Sequence, residues 1–132
     1  MTQMPVELMM LAYSVVWLFV IILVTTVFSL KQRSVPQLAG PRDDLPVPTG
    51  MYARGLRNVE NHKEGLILFA PFVLIAAMTQ NFDSYTALGA QLFFWSRIAH
   101  GVLYFAGVPW LRTLAWLVGI VGTAMIACAV IF

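Results

Sequence analysis

Residues 54–64, Arg54-Gly-Leu-Arg57-Asn-Val-Glu60-Asn61-His-Lys-Glu64, run without a turn signal into Gly65-Leu-Ile-Leu-Phe-Ala-Pro-Phe-Val-Leu-Ile-Ala-Ala-Met78. The first half is polar and the second apolar, yet the spacing predicts one helix. At 100° per residue, Arg54, Arg57, Asn61 and Glu64 fall within an arc of roughly 80°, and Leu68 continues the line. Ionisable groups at or below a membrane surface are costly, so they usually face a protein interior and often mark function. The stripe therefore decides both how this helix is placed and where to look for chemistry.

The rest of the chain is built for lipid. Of 132 residues, 60% are hydrophobic and 11% charged, with a mean hydropathy of +0.81. A soluble domain of that size cannot bury so much apolar surface, so the expected class is an all-α integral membrane protein. Four spans fit, at about 6–30, 50–79, 82–106 and 109–132, each near or above the ~20 residues that cross a hydrocarbon core. The first is too long for a signal peptide, has no preceding positive charge and is followed by no small-residue cleavage site. The whole chain reads as one transmembrane domain, without an internal repeat or a soluble portion.

Charge placement orients it. Drawn as four antiparallel spans, the chain gathers Lys31, Arg33, Arg42, Arg54, Arg57, Lys63 and Arg112 on one side and Glu7 and Asp83 on the other. The positive-inside rule then places both termini outside and the polar stripe on the cytoplasmic side, in the inner membrane if the source is bacterial. The one long connection, Lys31 to Thr49, carries Pro36, Pro41, Pro46 and Pro48 and is expected to be partly ordered against the bundle. Asn81-Phe82-Asp83-Ser84 and Gly107-Val108-Pro109 supply tight turns, the latter with glycine stopping one helix and proline opening the next.

The second helix, at 1.5 Å per residue, would reach about 45 Å and overrun a ~30 Å hydrocarbon core. Pro71 removes one of its backbone hydrogen bonds and should bend it. On the fourth helix Ala115, Gly119, Thr123 and Ala127 form a stripe of small residues, suited to close approach of a helix from this chain or another.

The third helix adds Arg97, His100, Gly101 and Tyr104 within about 100° of arc. Arg97 lies deepest in its span and requires a partner, for which Glu60 or Glu64 is expected. The plainer reading of a Glu64–Arg97 pair is a lock between two helices. Arg112 and Thr113 open the fourth helix, where a cation opposes the helix dipole unless an anion is shared with the free N–H groups. The plainer reading of Arg112 is an interfacial arginine reaching lipid phosphates. Trp17, Trp95, Trp110 and Trp116 read as lipid or interface anchors, Lys31 and Arg33 as the positive flank of the first span, and Cys128 as a small apolar filler.

Several arginines, two glutamates, an asparagine, a histidine and a tyrosine thus collect at one end. That set suits a small zwitterionic ligand with carboxylate, ammonium and amide groups. No metal-ligand spacing, Ser-His-Asp arrangement or phosphate loop occurs, and nothing points to nucleic acid. Any nucleophile would arrive with the ligand.

Three of these motifs, in order, resemble the MAPEG family, membrane-associated proteins of eicosanoid and glutathione metabolism. Arg57-x-x-x-Asn61-x-x-Glu64 before an apolar run resembles the family's glutathione-binding signature. Arg97-x-x-His100-x-x-x-Tyr104 resembles its third-helix motif, and Arg112 the arginine that opens its fourth helix. The resemblance implies a homotrimer of four-helix bundles with a site between neighbouring subunits. Glutathione, the co-substrate, would be held by Arg57, Asn61, Glu64, His100 and Tyr104, with Arg54 and Arg97 as further binding residues and an added contact from Lys31 or Arg33. Arg112 would stand at the sulfur as the catalytic residue. The implied activity is that of a membrane glutathione transferase, or a peroxidase, acting on lipophilic small molecules from the bilayer. The alternative within the family is a non-catalytic, lipid-binding or partner-scaffolding protein; outside it, an ion-relay channel or transporter. The chain departs from the family pattern at Gly101, in the spacing from Tyr104 to Arg112, and in the late position of Pro71.

Overall fold

The computed structural model describes residues 3–132. Four long helices and one short one make up the described residues: α1 (Val6–Leu30), α2 (Val35–Ala39), α3 (Gly50–Met78), α4 (Ser84–Ala106) and α5 (Pro109–Ile131). α4 packs along α5 and α1 along α3, while α3 and α4 each touch all the other long helices. α1 and α5 are long and apolar enough to cross a bilayer, whereas α3 and α4 carry the buried asparagine, histidines and arginine.

α1 buries one narrow line, Glu7, Met10, Ser14, Ile21, Thr25 and Ser29. Its opposite faces leave Val15, Val16, Phe19, Leu23 and Val27 exposed. That inversion, with apolar residues outward and hydroxyls inward, is what a hydrocarbon solvent selects. The hydroxyls satisfy themselves locally: Ser14 donates to Met10 O, Thr25 to Ile21 O and Ser29 to Thr26 O, each at 2.7 Å. Close approach to α3 follows, because a side chain at Gly55 would fall on Thr25.

α4 begins at Ser84, two residues later than the sequence suggests. Asp83 is the cap rather than part of the helix: its Oδ1 accepts from the N–H groups of Tyr85 (2.9 Å) and Thr86 (2.8 Å), and Thr86 Oγ1 accepts from Asp83 N–H. The helix ends at Gly107, whose φ of +76° suits the left-handed position after a helix. Pro109 opens α5. α3 continues unbroken through Pro71 to Met78.

Two of the four residues of the small-residue stripe of α5 are spent inside the chain, while Ala115 and Ala127 are half-buried. Gly119 and Thr123 are buried, and Gly122, beside the stripe, makes the closest crossing, since a Cβ there would strike the carbonyl of Gly89. The long connection holds α2, with a reciprocal cap between Ser34 and Gln37. It is tied to its ends by Gln32, which donates to Thr49 O at 2.7 Å, and by Arg33, which donates to Pro46 O at 2.6 Å.

The interior divides in two along its length. Met10, Phe69, Val73, Ala76, Ala90, Phe93 and Ile126 form the apolar core, with the Phe69 and Phe93 rings stacked at 3.8 Å. The half nearest the start of α3 is polar instead, with Asn58, His62, Arg97 and His100 all buried.

Candidate functional site

Buried polar groups on α3 take hold of α4 through its backbone. Asn58 donates from Nδ2 to Gly101 O at 3.1 Å. His62 faces a carbonyl oxygen with each ring nitrogen, Asn58 O at 3.0 Å and Arg97 O at 3.1 Å. Trp17 reaches in from α1 to donate to the same Arg97 oxygen at 3.1 Å. Asn58 and His62 were not singled out by the sequence reading. Their signal was present: four residues apart, they share a face with the buried Gly55, Phe69 and Val73. Trp17, expected as an interface anchor, is an interhelical donor; Trp95 and Trp110 are exposed.

Arg97 is 3% exposed; the charge of Glu64 acts on it favourably, as expected, but its direct hydrogen-bond partner is an amide. Its Nη2 donates to Asn61 Oδ1 at 2.7 Å. Glu60 pairs with Lys63 instead, the sole ion pair among the described residues, on an exposed face. Glu64 borders the same small cavity as Arg97 without an ion pair to it. Arg97 reaches α3 at the level of Gly65, where a Cβ would lie 3.5 Å from its Cζ, and from there Nη2 turns to Asn61. With its oxygen taken, the Asn61 amide keeps its NH₂ as the group that can still donate.

Two adjoining concavities open beside this pair. One, of about 320 Å³, is lined by Leu56, Arg57, Glu60, Asn61, Glu64 and Tyr104. The other, of about 230 Å³, is lined by Asn61, His100, Tyr104, Arg112, Thr113 and Trp116. Asn61 and Tyr104 belong to both, so the two form a continuous surface across α3, α4 and the first turn of α5. The Arg112 guanidinium lies 4.4 Å above the Tyr104 ring centre, a cation–π distance, and the His100 and Tyr104 rings meet edge-on at 5.6 Å. Arg112 therefore stands over a ring that the second concavity exposes.

Six of the residues marked in the sequence thus come together: Arg57, Asn61, Glu64, His100, Tyr104 and Arg112. Arg97 stands behind Asn61. Arg54 is directed elsewhere, donating from Nη1 to Phe105 O at 3.2 Å at the end of α4. Lys31 lies over the Phe28 ring and Arg33 over the Tyr52 ring, each at 5.3 Å, and neither borders the two concavities.

Chemically, the first concavity offers a guanidinium (Arg57), a carboxylate without an ion-pair partner (Glu64) and an amide donor. The second offers an imidazole, a phenol and a second guanidinium close to the free N–H groups that begin α5. The charges of the first set are complementary to those of a zwitterion, and those of the second to an anion.

Apolar outer faces, two bilayer-length helices and an interior polar at one end define an α-helical membrane protein. The sequence matches the model of the MAPEG family over residues 8–132, nearly its whole length, and the chain belongs to that family. It is thereby a membrane protein associated with glutathione and eicosanoid metabolism. No curated protein matches it.

Proposed function

We propose that this protein is a membrane glutathione transferase that ionises the glutathione thiol for attack on lipophilic electrophiles. The observation that carries the reading is the placement of Arg112 over Tyr104 on a surface continuous with Arg57, Asn61 and Glu64. Glu64 would take the ligand's ammonium, Arg57 a carboxylate, and the Asn61 NH₂ a carbonyl or carboxylate oxygen. Tyr104 and His100 would border the cysteinyl portion and bring the sulfur towards Arg112.

A thiol of pKa about 8.5 loses its proton more readily beside a guanidinium and a helix N-terminus. The proton leaves to water. The thiolate then forms a carbon–sulfur bond with an electrophile from the bilayer, displacing a leaving group or adding to an activated double bond. The same thiolate, attacking the O–O bond of a lipid hydroperoxide, would give peroxidase chemistry with a second glutathione completing the reduction.

In this reading the chain crosses the bilayer four times with both termini outside. Three copies assemble, so that each open site is walled by a neighbour and Lys31 or Arg33 of that neighbour adds a contact.

Calorimetry with glutathione on the purified protein in detergent tests the binding step, and the ultraviolet absorbance of the bound thiolate tests its ionisation. Saturable binding with a thiolate signal at neutral pH supports the transferase. Binding without ionisation, or no binding at millimolar glutathione, points to the lipid-binding or scaffolding branch of the family.

A further inference from the structure

We infer that Arg54 is a positioning residue, one that sets Arg112 against Tyr104 by fixing the α4–α5 turn, and not a ligand of glutathione. The inference rests on the function proposed above. Arg54 lies on the same stripe of α3 as Arg57, yet it borders neither concavity. Its Nη1 donates to Phe105 O at 3.2 Å. That oxygen is one of the last carbonyls of α4, which lack partners within the helix and carry its negative dipole end. A cation there both satisfies the acceptor and lowers the electrostatic cost.

The guanidinium also lies against Gly107. A Cβ at Gly107 would sit 3.0–3.1 Å from three guanidinium atoms, and the residue's φ of +76° is itself a glycine conformation. Only glycine leaves room for the arginine and takes up the turn. Within that turn Gly107 N–H donates to Tyr104 O at 3.2 Å and Val108 N–H to Leu103 O at 3.1 Å. Pro109 then starts α5 with a fixed φ, and Arg112 follows in its first turn. Tyr104 is thus joined to Arg112 through a short segment that Arg54 grips at its midpoint from α3. The 4.4 Å stack of Arg112 on Tyr104 inherits its geometry from that grip.

The test compares Arg54→Ala, Arg54→Lys and Gly107→Ala, each as the full chain in detergent. Glutathione affinity, thiolate absorbance, turnover and hydrogen exchange of the 107–113 amides are measured in parallel. Arg54→Ala and Gly107→Ala should both lower thiolate content and reduce turnover about ten- to a hundredfold, the scale for a catalytic group displaced by about an ångström. Both should speed exchange in the turn and leave affinity nearly unchanged. Arg54→Lys, which can still reach Phe105 O, should recover part of the loss, and it stands in for Arg54→Ala if that variant does not fold. The decisive comparison is Gly107→Ala, which removes no charge. If Arg54→Ala weakens affinity in step with turnover while Gly107→Ala changes nothing, Arg54 is a ligand and the inference is overturned. If the wild-type protein itself neither binds nor ionises glutathione, the proposed function fails first and takes this inference with it. That outcome is read on the unmodified chain and is distinct from a defect confined to the variants.

Discussion

Arg97 and Asn61 form a 2.7 Å hydrogen bond across the α3–α4 contact, guanidinium to amide oxygen, and that bond leaves the NH₂ of the amide as the group that can donate to a ligand. Asn61→Ala should therefore weaken glutathione binding by about tenfold, near the ~1.4 kcal/mol of one good hydrogen bond. Asn61→Asp should bind more weakly still, because it keeps the contact to Arg97 but offers the ligand an acceptor in place of a donor. Titration calorimetry on the two variants checks the order, and equal affinity for all three proteins would remove Asn61 from the site.

Glu64 forms no direct ion pair among the described residues and acts on the buried Arg97 only across the cavity they share, so Glu64→Gln should lower thermal stability in detergent only slightly. Glutathione affinity should fall about tenfold or more, in line with ~1.5–3 kcal/mol for a charge-assisted hydrogen bond. The reverse pattern, lost stability with intact binding, would make Glu64 a helix lock after all.

Arg112 stacks on Tyr104 at 4.4 Å and should act on the sulfur more than on the ligand as a whole. Arg112→Ala is expected to lower kcat by about 10²-fold, the usual effect of deleting one group that stabilises a developing anion, with little change in Kd. Proportional losses in kcat and affinity would show that Arg112 only holds the ligand.

Gly122 and Gly119 give a graded packing test. An alanine methyl at Gly122 would meet Gly89 O and Phe93 N, both backbone, whereas one at Gly119 would meet the Ser96 hydroxyl at 2.8 Å. Gly122→Ala should cost about 3 kcal/mol, the upper end for overpacking. Gly119→Ala should cost less, since a side chain can turn aside. Chemical or thermal unfolding of both variants ranks them.

Much of this architecture was legible from residues alone because its signals are local. Gly107 and Pro109 mark the α4–α5 turn, and the apolar runs of α1 and α5 extend over the full helices. The span expected from about residue 82 starts at Ser84, because Asp83, within the turn that the sequence signals at Asn81–Ser84, caps the helix. What could not be read depends on how one helix is rotated about its axis against another. Whether Arg97 meets Asn61 or Glu64 turns on about one helical turn of α3, and both residues lie on the same stripe. Trp17 was misjudged for the same reason: tryptophan suits both an interface and an interior, and only the position of the Arg97 carbonyl decides between them. The candidate site shows the same division. Its stripes were visible one helix at a time, but the way Arg54 parts from Arg57, towards Phe105, appears only once α4 has been laid beside α3.

The Arg97 carbonyl oxygen receives the Trp17 indole from α1 and faces the His62 imidazole of α3, so two helices meet at a single acceptor of a third. Hydrogen bonding softens a carbonyl stretch. A carbon-13 label at this one position would therefore give an infrared band whose frequency registers the seating of α1 and α3 together. Assembly of the polar half could be followed in the bilayer by the vibration of a single bond.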